Sequence, residues 1–415
     1  MAKVKVGVVG VGRGKWALKY CGDADNAQLV AICDCWEEEL RKTEKEYGTE
    51  NISCYTDFDA FLRHDMDVVV LANYATEHAP FAIKAMRAGK DVVSEVLPVQ
   101  TMAQAVELIE CIEQTGRKYC YAENYCFMNA PYEMRRKYRA GELGTFEYGE
   151  GEYMHNCESG WPELTRGDRN HWRNRMSAFN YCTHSVGPLL HITGMRPVKV
   201  TGFELPHNAR MARMGAAAGS VGIEMVTLEN GAVIKSLHGV GCSKNSIWYS
   251  IYGSKGRMES AREDTKQGDI LRLYTNLDPE ETRDGRDEAQ NALIQYYDSE
   301  LAQKHGHGGS DYYCLHNAFD YLGGDENADV IDVYEALDMW MCGHFGYLSV
   351  LNGGIPMEIP DMRDRAVREQ YRHDNRCTDP NVAGEQYIAP YSKGELEIPD
   401  SVYEWHKKAF AERRK

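Results

Sequence analysis

The chain has 415 residues, 43% hydrophobic and 10% aromatic, which suits two domains with full cores and excludes a disordered polymer. A formal charge of −16 excludes nucleic acid and anionic membrane surfaces as natural partners. No apolar run reaches transmembrane length, and Met1-Ala2-Lys3-Val4-Lys5 runs straight into a strand, so no signal peptide is expected. Thirteen cysteines, an odd number without CxxC spacing, suit reduced thiols in a cytoplasm.

Val4 to Val9 reads as a buried strand. It leads into Gly10-Val11-Gly12-Arg13-Gly14-Lys15 and a short helix from Trp16 to Cys21. A second strand, Leu29 to Cys33, ends on Asp34, 22 residues after Gly12. This is the dinucleotide-binding arrangement. Gly10 makes the tight turn, Gly12 admits a pyrophosphate to backbone N–H groups, and the helix N-terminus favours its charge. Asp34 is placed for an adenosine ribose diol, and Cys35-Trp36 offers no cation for a 2′-phosphate, so the cofactor reads as NAD. The third motif position holds Lys15, with Gly14 one residue early, so helix and strand are expected to pack differently there.

Strand and helix signals then alternate. A helix over Phe58 to Arg63 precedes a strand at Val68 to Ala72, and a helix over Glu77 to Ala88 stops at Gly89. A strand at Asp91 to Ser94, a helix over Met102 to Gln114 and a strand at Lys118 to Tyr121 follow. Such βα units imply a doubly wound parallel sheet with the cofactor across its carboxyl edge. A basic helix, Tyr132 to Ala140, begins a different pattern: strands from Thr145 to Met154, a helix over His184 to Thr193, then five strand-like runs. These are Val198–Phe203, Ile223–Leu228, Ala232–Gly239, Trp248–Gly253 and Leu271–Tyr274. They predict an α+β domain with a mostly antiparallel open sheet. Leu205–Val221 and Asn276–Ser310 read as polar surface segments. The expected layout is a Rossmann domain over 1–128 and a substrate and oligomerisation domain over 129–360. Its helix at 330–350 would return to the first domain, and 361–415 forms a C-terminal extension ending in an amphipathic helix from Val402 to Arg414.

This layout resembles the glucose–fructose oxidoreductase/inositol dehydrogenase (Gfo/Idh/MocA) family over roughly the first 360 residues. The matching stretches are the glycine turn, Asn73-Tyr74-Ala75-Thr76-Glu77-His78, Ala88-Gly89-Lys90-Asp91-Val92, Glu95 near Pro98, and Tyr252-Gly253-Ser254-Lys255-Gly256. Dehydrogenases of the family usually carry Glu-Lys-Pro where this chain has Glu95-Val96-Leu97-Pro98; the lysine that assists alcohol oxidation is missing. Asn180-Tyr181-Cys182-Thr183-His184-Ser185-Val186-Gly187-Pro188 is similar to the branch of NAD-dependent glycosidases such as α-N-acetylgalactosaminidases. So are Glu152-Tyr153-Met154-His155 and Gly306-His307-Gly308-Gly309-Ser310-Asp311.

The resemblance implies a redox-neutral glycosidase that keeps NAD bound. A 3-keto intermediate acidifies the C2 hydrogen, the aglycone is eliminated, water adds, and C3 is reduced again, without paired carboxylates. His184 is the first candidate for the proton acceptor at the sugar, with Tyr153 at the C2 proton and His155 assisting. Family position suggests Asn73, His78, Glu95 and Asn124 near the nicotinamide, beside Gly10, Gly12, Arg13, Gly14 and Asp34. Trp172, Arg173, Arg175, Tyr181, His307 and Asp311 are candidates for binding substrate. In the basic run Arg166–Arg175, Trp172 would stack on a sugar face, and Arg173 or Arg175 would pair with an anionic substituent; the alternative is a solvated loop. His305, His307 and Asp311 are also permissible metal ligands by spacing, but a glycine-rich loop holds ligands poorly, and no metal is expected. Family members often assemble through the open sheet, so a homo-oligomer is expected. The rival readings are an NAD-dependent sugar or cyclitol dehydrogenase, and a non-catalytic sugar or nucleotide sensor.

Overall fold

A computed structural model describes residues 3–47, 52–260, 262, 271–276, 287–292 and 299–414. The chain forms two compact units. The first comprises Met1–Asn129, Tyr296–Leu337 and Met362–Asp374; the second comprises Ala130–Gln295, Asp338–Asp361 and Asn375–Lys415. Neither unit is one continuous stretch, and the tail is divided between them.

The first unit holds six parallel strands: β1 (Val4–Val9), β2 (Ala27–Cys33), β3 (Ser53–Tyr55), β4 (Val68–Leu71), β5 (Asp91–Ser94) and β6 (Tyr119–Tyr121). Their order is β3-β2-β1-β4-β5-β6, so the strand order reverses between β1 and β4. Covered on both faces, such strands read as continuous apolar runs, and all four residues of β4 are buried. Besides the short strand β3, two of this unit's longer helices escaped the sequence pattern. The helix Glu37–Tyr47 buries only Leu40 and Thr43, so it has almost no apolar stripe. The helix Ser310–Leu322 begins where the expected polar segment Asn276–Ser310 ends, over residues to which no helix was assigned. It buries Tyr312, Tyr313, Leu315 and Phe319, and the Tyr312 and Phe319 rings sit 5.3 and 5.5 Å from the ring of Tyr20 on the helix Lys15–Asp23.

The second unit holds nine strands: β7 (Phe146–Asn156), β8 (Pro197–Glu204), β9 (Gly222–Leu228), β10 (Val233–Gly239), β11 (Gly241–Gly253), β12 (Gly256–Ser260), β13 (Leu271–Asn276), β14 (Asp287–Ala292) and β15 (Met357–Glu358). The order is β14-β13-β12-β11-β7-β10-β9-β8-β15, antiparallel except where β10 runs parallel to β7. Burial alternates with period two along β9, as a sheet covered on one face requires. The helix Val333–Leu351 passes from the first unit into the second after Leu337. Among the described residues, no helix is long and apolar enough to cross a membrane.

Candidate active site

In the first unit the glycine turn has a distinct task for each glycine. Gly10 sits at φ +87°, and a Cβ there would meet the Ala72 carbonyl oxygen at 2.5 Å, so the turn off β1 requires glycine. A Cβ on Gly14 would meet the Gly10 carbonyl oxygen at 2.4 Å and Val8 Cγ1 at 2.8 Å. Gly14 therefore supplies the close helix–strand approach that the third motif position normally gives, one residue early. A Cβ on Gly12 meets nothing within 4 Å, and among the described residues the Gly12 and Arg13 N–H groups have no protein acceptor. Open space faced by free N–H donors at a helix start fits a pyrophosphate. Asp34 ends β2 half-buried, its oxygens accepting from Val11 N at 2.9 Å and Trp36 N at 2.8 Å. A carboxylate retains lone pairs beyond these two bonds, so a ribose diol still finds acceptors there.

The remaining cofactor candidates stand at the ends of neighbouring strands. Asn73 follows β4 and donates to Glu77 at 3.0 Å. His78 is buried and donates from Nδ1 to the Leu97 carbonyl at 2.8 Å, which ties it to the segment after β5. Glu95 follows β5, buried, and accepts from Arg13 Nε at 2.6 Å. Asn124, after β6, donates to Asp311 Oδ1 at 2.7 Å. Arg13 Nη2 lies 3.8 Å from the same Asp311 oxygen. Burial alone would raise the Asp311 carboxyl, but His307 at 3.0 Å and Arg13 outweigh it and hold it below its ordinary range. His307 and Asp311 thus belong to the first unit, beside Arg13, Glu95 and Asn124. His305 turns instead to Asp23, 3.2 Å away, so the two histidines do not share a ligand set.

In the second unit, glycine again decides the geometry. A Cβ on Gly151 would lie 1.9 Å from the Ser185 carbonyl oxygen, so only glycine lets the helix Thr183–Thr193 rest this closely on β7. Two residues further along β7, Tyr153 meets His184 from the helix's first turn, their ring centroids 4.6 Å apart. Tyr181 stacks on His184 at 5.5 Å and 17°, and its ring lies 6.1 Å from that of Tyr153, so the three rings form one cluster. Pro188, inside the helix, has no N–H for the His184 carbonyl; the Tyr249 hydroxyl donates to that oxygen instead at 2.5 Å. Arg173 donates to the Tyr181 hydroxyl and lies 4.3 Å over the Trp172 ring. His155 stands 5.6 Å from the Tyr153 ring, its Nδ1 3.0 Å from Cys157 Sγ.

Residues 4–123 match the family model for the oxidoreductase family with an NAD-binding Rossmann fold (GFO_IDH_MocA), and residues 199–368 match that for the glycosyl hydrolase 109 C-terminal domain. Residues 4–123 form an NAD-binding Rossmann domain similar to that of the Gfo/Idh/MocA family, and the similarity of residues 199–368 is to the glycosyl hydrolase 109 branch. A glycosyl hydrolase family 109 protein of Porphyromonas gingivalis is 26% identical over 406 residues, covering 86% of this chain and 84% of that one. A Phocaeicola vulgatus protein named glycosyl hydrolase family 109 protein 3 is 26% identical over 463 residues, covering 98% and 82%. Among solved structures, an oxidoreductase from Agrobacterium radiobacter in complex with NAD+, L-tartaric acid and magnesium shares the fold. It has a TM-score of 0.68 and 17% identity, over 86% of this chain and 98% of that one.

The family resemblance singled out the ring cluster of Tyr153, Tyr181 and His184, and the structure brings those residues together. It separates the two candidate arginines of the basic run, Arg173 and Arg175. Arg173 faces Tyr181, while the charge of Arg175 acts on Tyr387 and Tyr403. Sequence reasoning gave no role to three buried groups. Burial, aided by the charges of Arg173 and Arg166, pushes His171 down to about 3, and its neutral Nδ1 accepts from Arg173 N at 3.2 Å. Beneath the helix Thr183–Thr193, His238 Nδ1 lies 3.2 Å from both Ser185 Oγ and Ser236 Oγ, and its Nε2 lies 3.7 Å from Glu224. Burial pushes Glu224 up to about 8 and His238 down to about 3, so both are neutral across most of the physiological range. The missed signal was a carboxylate and an imidazole on the inward-facing positions of β9 and β10.

Proposed function

We propose that the protein is an NAD-dependent, redox-neutral glycosidase acting through a 3-keto intermediate. The single observation that carries this reading is the pair of rings at 4.6 Å, Tyr153 on β7 and His184 on the helix that Gly151 admits. Two proton-transfer groups side by side, with no carboxylate pair among these residues, suit chemistry at adjacent sugar carbons better than direct displacement at C1. In the cycle, His184 accepts the proton of the sugar 3-hydroxyl. Tyr153 takes the C2 proton once C3 is a ketone, and His155 assists it. Elimination then breaks the C1–O bond, water adds to C1, and a proton returns to C2. Gly10, Gly12, Arg13, Gly14 and Asp34 would hold NAD, with Asn73, His78, Glu95 and Asn124 toward its nicotinamide half; bound NAD supplies reversible oxidation of C3. Glu95-Val96-Leu97-Pro98 lacks the lysine of the family's dehydrogenases, and the relatives named glycosyl hydrolase family 109 favour the same reading.

The substrate class is a small glycoside. Trp172, Arg173 and Tyr181 bind it, with Arg173 toward an anionic substituent. Their mutual contacts leave a flat aromatic surface beside a cation. Turnover of an aryl glycoside in D₂O, with NAD present, tests the mechanism. Deuterium is expected at C2 of the released sugar with C3 still protiated, and aryl release without accumulation of NADH. Release with C2 fully protiated, after excluding exchange from the free sugar, overturns the redox cycle. NADH accumulating in step with substrate loss identifies a dehydrogenase instead.

A further inference from the structure

The C-terminal helix Asp400–Arg413 faces the end of β7 across an open cleft of about 640 Å³, within the second unit. At its rim Trp405 is 59% exposed, more than any other large hydrophobic side chain among the described residues. An indole held in water forgoes the burial that draws large aromatics inward. It is not a fraying end. Tyr403 and His406 on the same helix are buried, the Tyr403 hydroxyl donates to the Gly215 carbonyl at 2.9 Å, and His406 Nε2 donates to the Arg213 carbonyl at 2.9 Å. The helix that carries the ring is therefore anchored.

The rest of the cleft is polar, and its charges are largely answered. Glu158 is held by Arg210 and Arg213, and Arg413 donates to the Ser159 carbonyl at 3.0 Å with Glu163 at 3.8 Å. Among the described residues, Trp405 Nε1 and Ser401 Oγ have no protein hydrogen-bond partner. An apolar plane on an anchored helix, ringed by hydroxyl, amide and guanidinium donors with little net charge to attract an anion, matches one face of a pyranose: C–H groups on the ring, hydroxyls at the edge. Asn156 in the cleft follows His155 on β7 and lies three residues, about 10 Å along the strand, from Tyr153. A short oligosaccharide spans that distance.

We propose that this cleft is an accessory saccharide site, taking a neutral pyranose of an extended glycan on the Trp405 indole. Its purpose rests on the glycosidase reading; its detection does not. Saturation-transfer NMR on the full chain with maltotetraose, chitotetraose and lacto-N-tetraose should show transfer to pyranose ring protons from at least one. Affinity should fall by about ten-fold or more in Trp405→Ala, the loss expected of an aromatic anchor. It should be largely kept in Trp405→Phe and unchanged in His184→Ala. Binding lost in His184→Ala but kept in Trp405→Ala would place the sugar at the ring cluster and overturn the proposal. So would no binding of any of the three, or a concentration-dependent dimer that Trp405→Ala dissociates, which would assign the indole to a second copy. If Trp405-dependent binding is found but no glycoside is cleaved, the cleft stands and the proposed function falls.

Discussion

In the first unit, Gly10 to Gly14, Asp34, Asn73, Glu95 and Asn124 each follow their own parallel strand, so position along the chain reports position along the carboxyl edge. In the second unit, Tyr153, Arg173, Tyr181 and His184 come from a strand, a loop and a helix turn, and meet because Gly151 lets the helix lie on the strand. The first site is built of backbone amides and ion pairs, the second of stacked rings with a single cation. A parallel sheet writes its binding edge into local sequence order. A helix packed on a mixed sheet stores its site in long-range approach, which no local pattern reports.

That contrast explains what was legible. The glycine turn, five of the six parallel strands and the acid at Asp34 followed from periodicity and spacing. The ring cluster in the second unit was reachable only through resemblance, because its residues do not share one period. The helix Ser310–Leu322 was missed although Tyr312, Leu315 and Phe319 recur at helical spacing, since glycines and polar residues before it read as surface. His307 and Asp311 were named as substrate-binding candidates through the family resemblance of the Gly306–Asp311 stretch. Helix formation seats Asp311 in the first unit, where Asn124, Arg13 and His307 surround it. Glu224 and His238 went unnoticed because alternation was read for apolar residues alone.

The largest effect should come from breaking the second site while sparing the first. His184→Ala should suppress aglycone release by roughly two to four orders of magnitude, the range of a positioned acid or base. NAD affinity, measured by titration calorimetry, should stay unchanged, because His184 belongs to the second unit. A parallel loss of NAD binding would show that the two sites are not separable. Gly151→Ala should act more broadly. Its Cβ would lie 1.9 Å from the Ser185 carbonyl oxygen, so the helix must shift, at about 1–3 kcal/mol of stability by thermal unfolding and with loss of turnover. A variant as stable and active as the native protein would show that the approach of helix to strand is not what sets the ring geometry.

Arg173→Met should raise KM for anionic glycosides about ten- to a hundred-fold and much less for neutral ones, as loss of a charge-assisted contact predicts. Arg175→Met should spare both, since that charge acts on Tyr387 and Tyr403. Equal losses on neutral and anionic substrates would assign Arg173 to holding Tyr181. Glu224→Gln tests the buried layer through pH. Burial raises the folded value of Glu224 to about 8, so stability is fully present below its ordinary value near 4.5 and is lost as pH climbs toward 8. The glutamine does not ionise, so the variant should gain on the native protein across that window, by about 1.4 kcal/mol per pH unit and roughly 3–4 kcal/mol between pH 5 and pH 8 in urea unfolding. His238, held near 3, titrates in both proteins and largely cancels from the difference. A flat difference from pH 5 to pH 8 would mean that Glu224 is already ionised in the folded protein.

The smallest effect probes the first site by its selectivity. The native protein should bind NAD more tightly than NADP, because a 2′-phosphate would meet the Asp34 carboxylate with no cation in Cys35-Trp36 to relieve it. Asp34→Ala removes that repulsion together with the acceptors for the ribose diol, so the preference should narrow. The structure adds a complication, since Asp34 also accepts from Val11 N and Trp36 N and so braces the turn itself. Affinity for both dinucleotides should therefore fall, by roughly five-fold for each hydrogen bond of about 1 kcal/mol that is lost, while the ratio between them shrinks. Asp34→Asn separates the two roles: its carbonyl oxygen preserves one of the bracing bonds while its charge is gone. A ratio that narrows in both variants, with overall affinity better kept in Asp34→Asn, assigns the selectivity to charge and the brace to geometry. Equal native affinity for NAD and NADP would remove Asp34 from the ribose and leave it a turn residue alone.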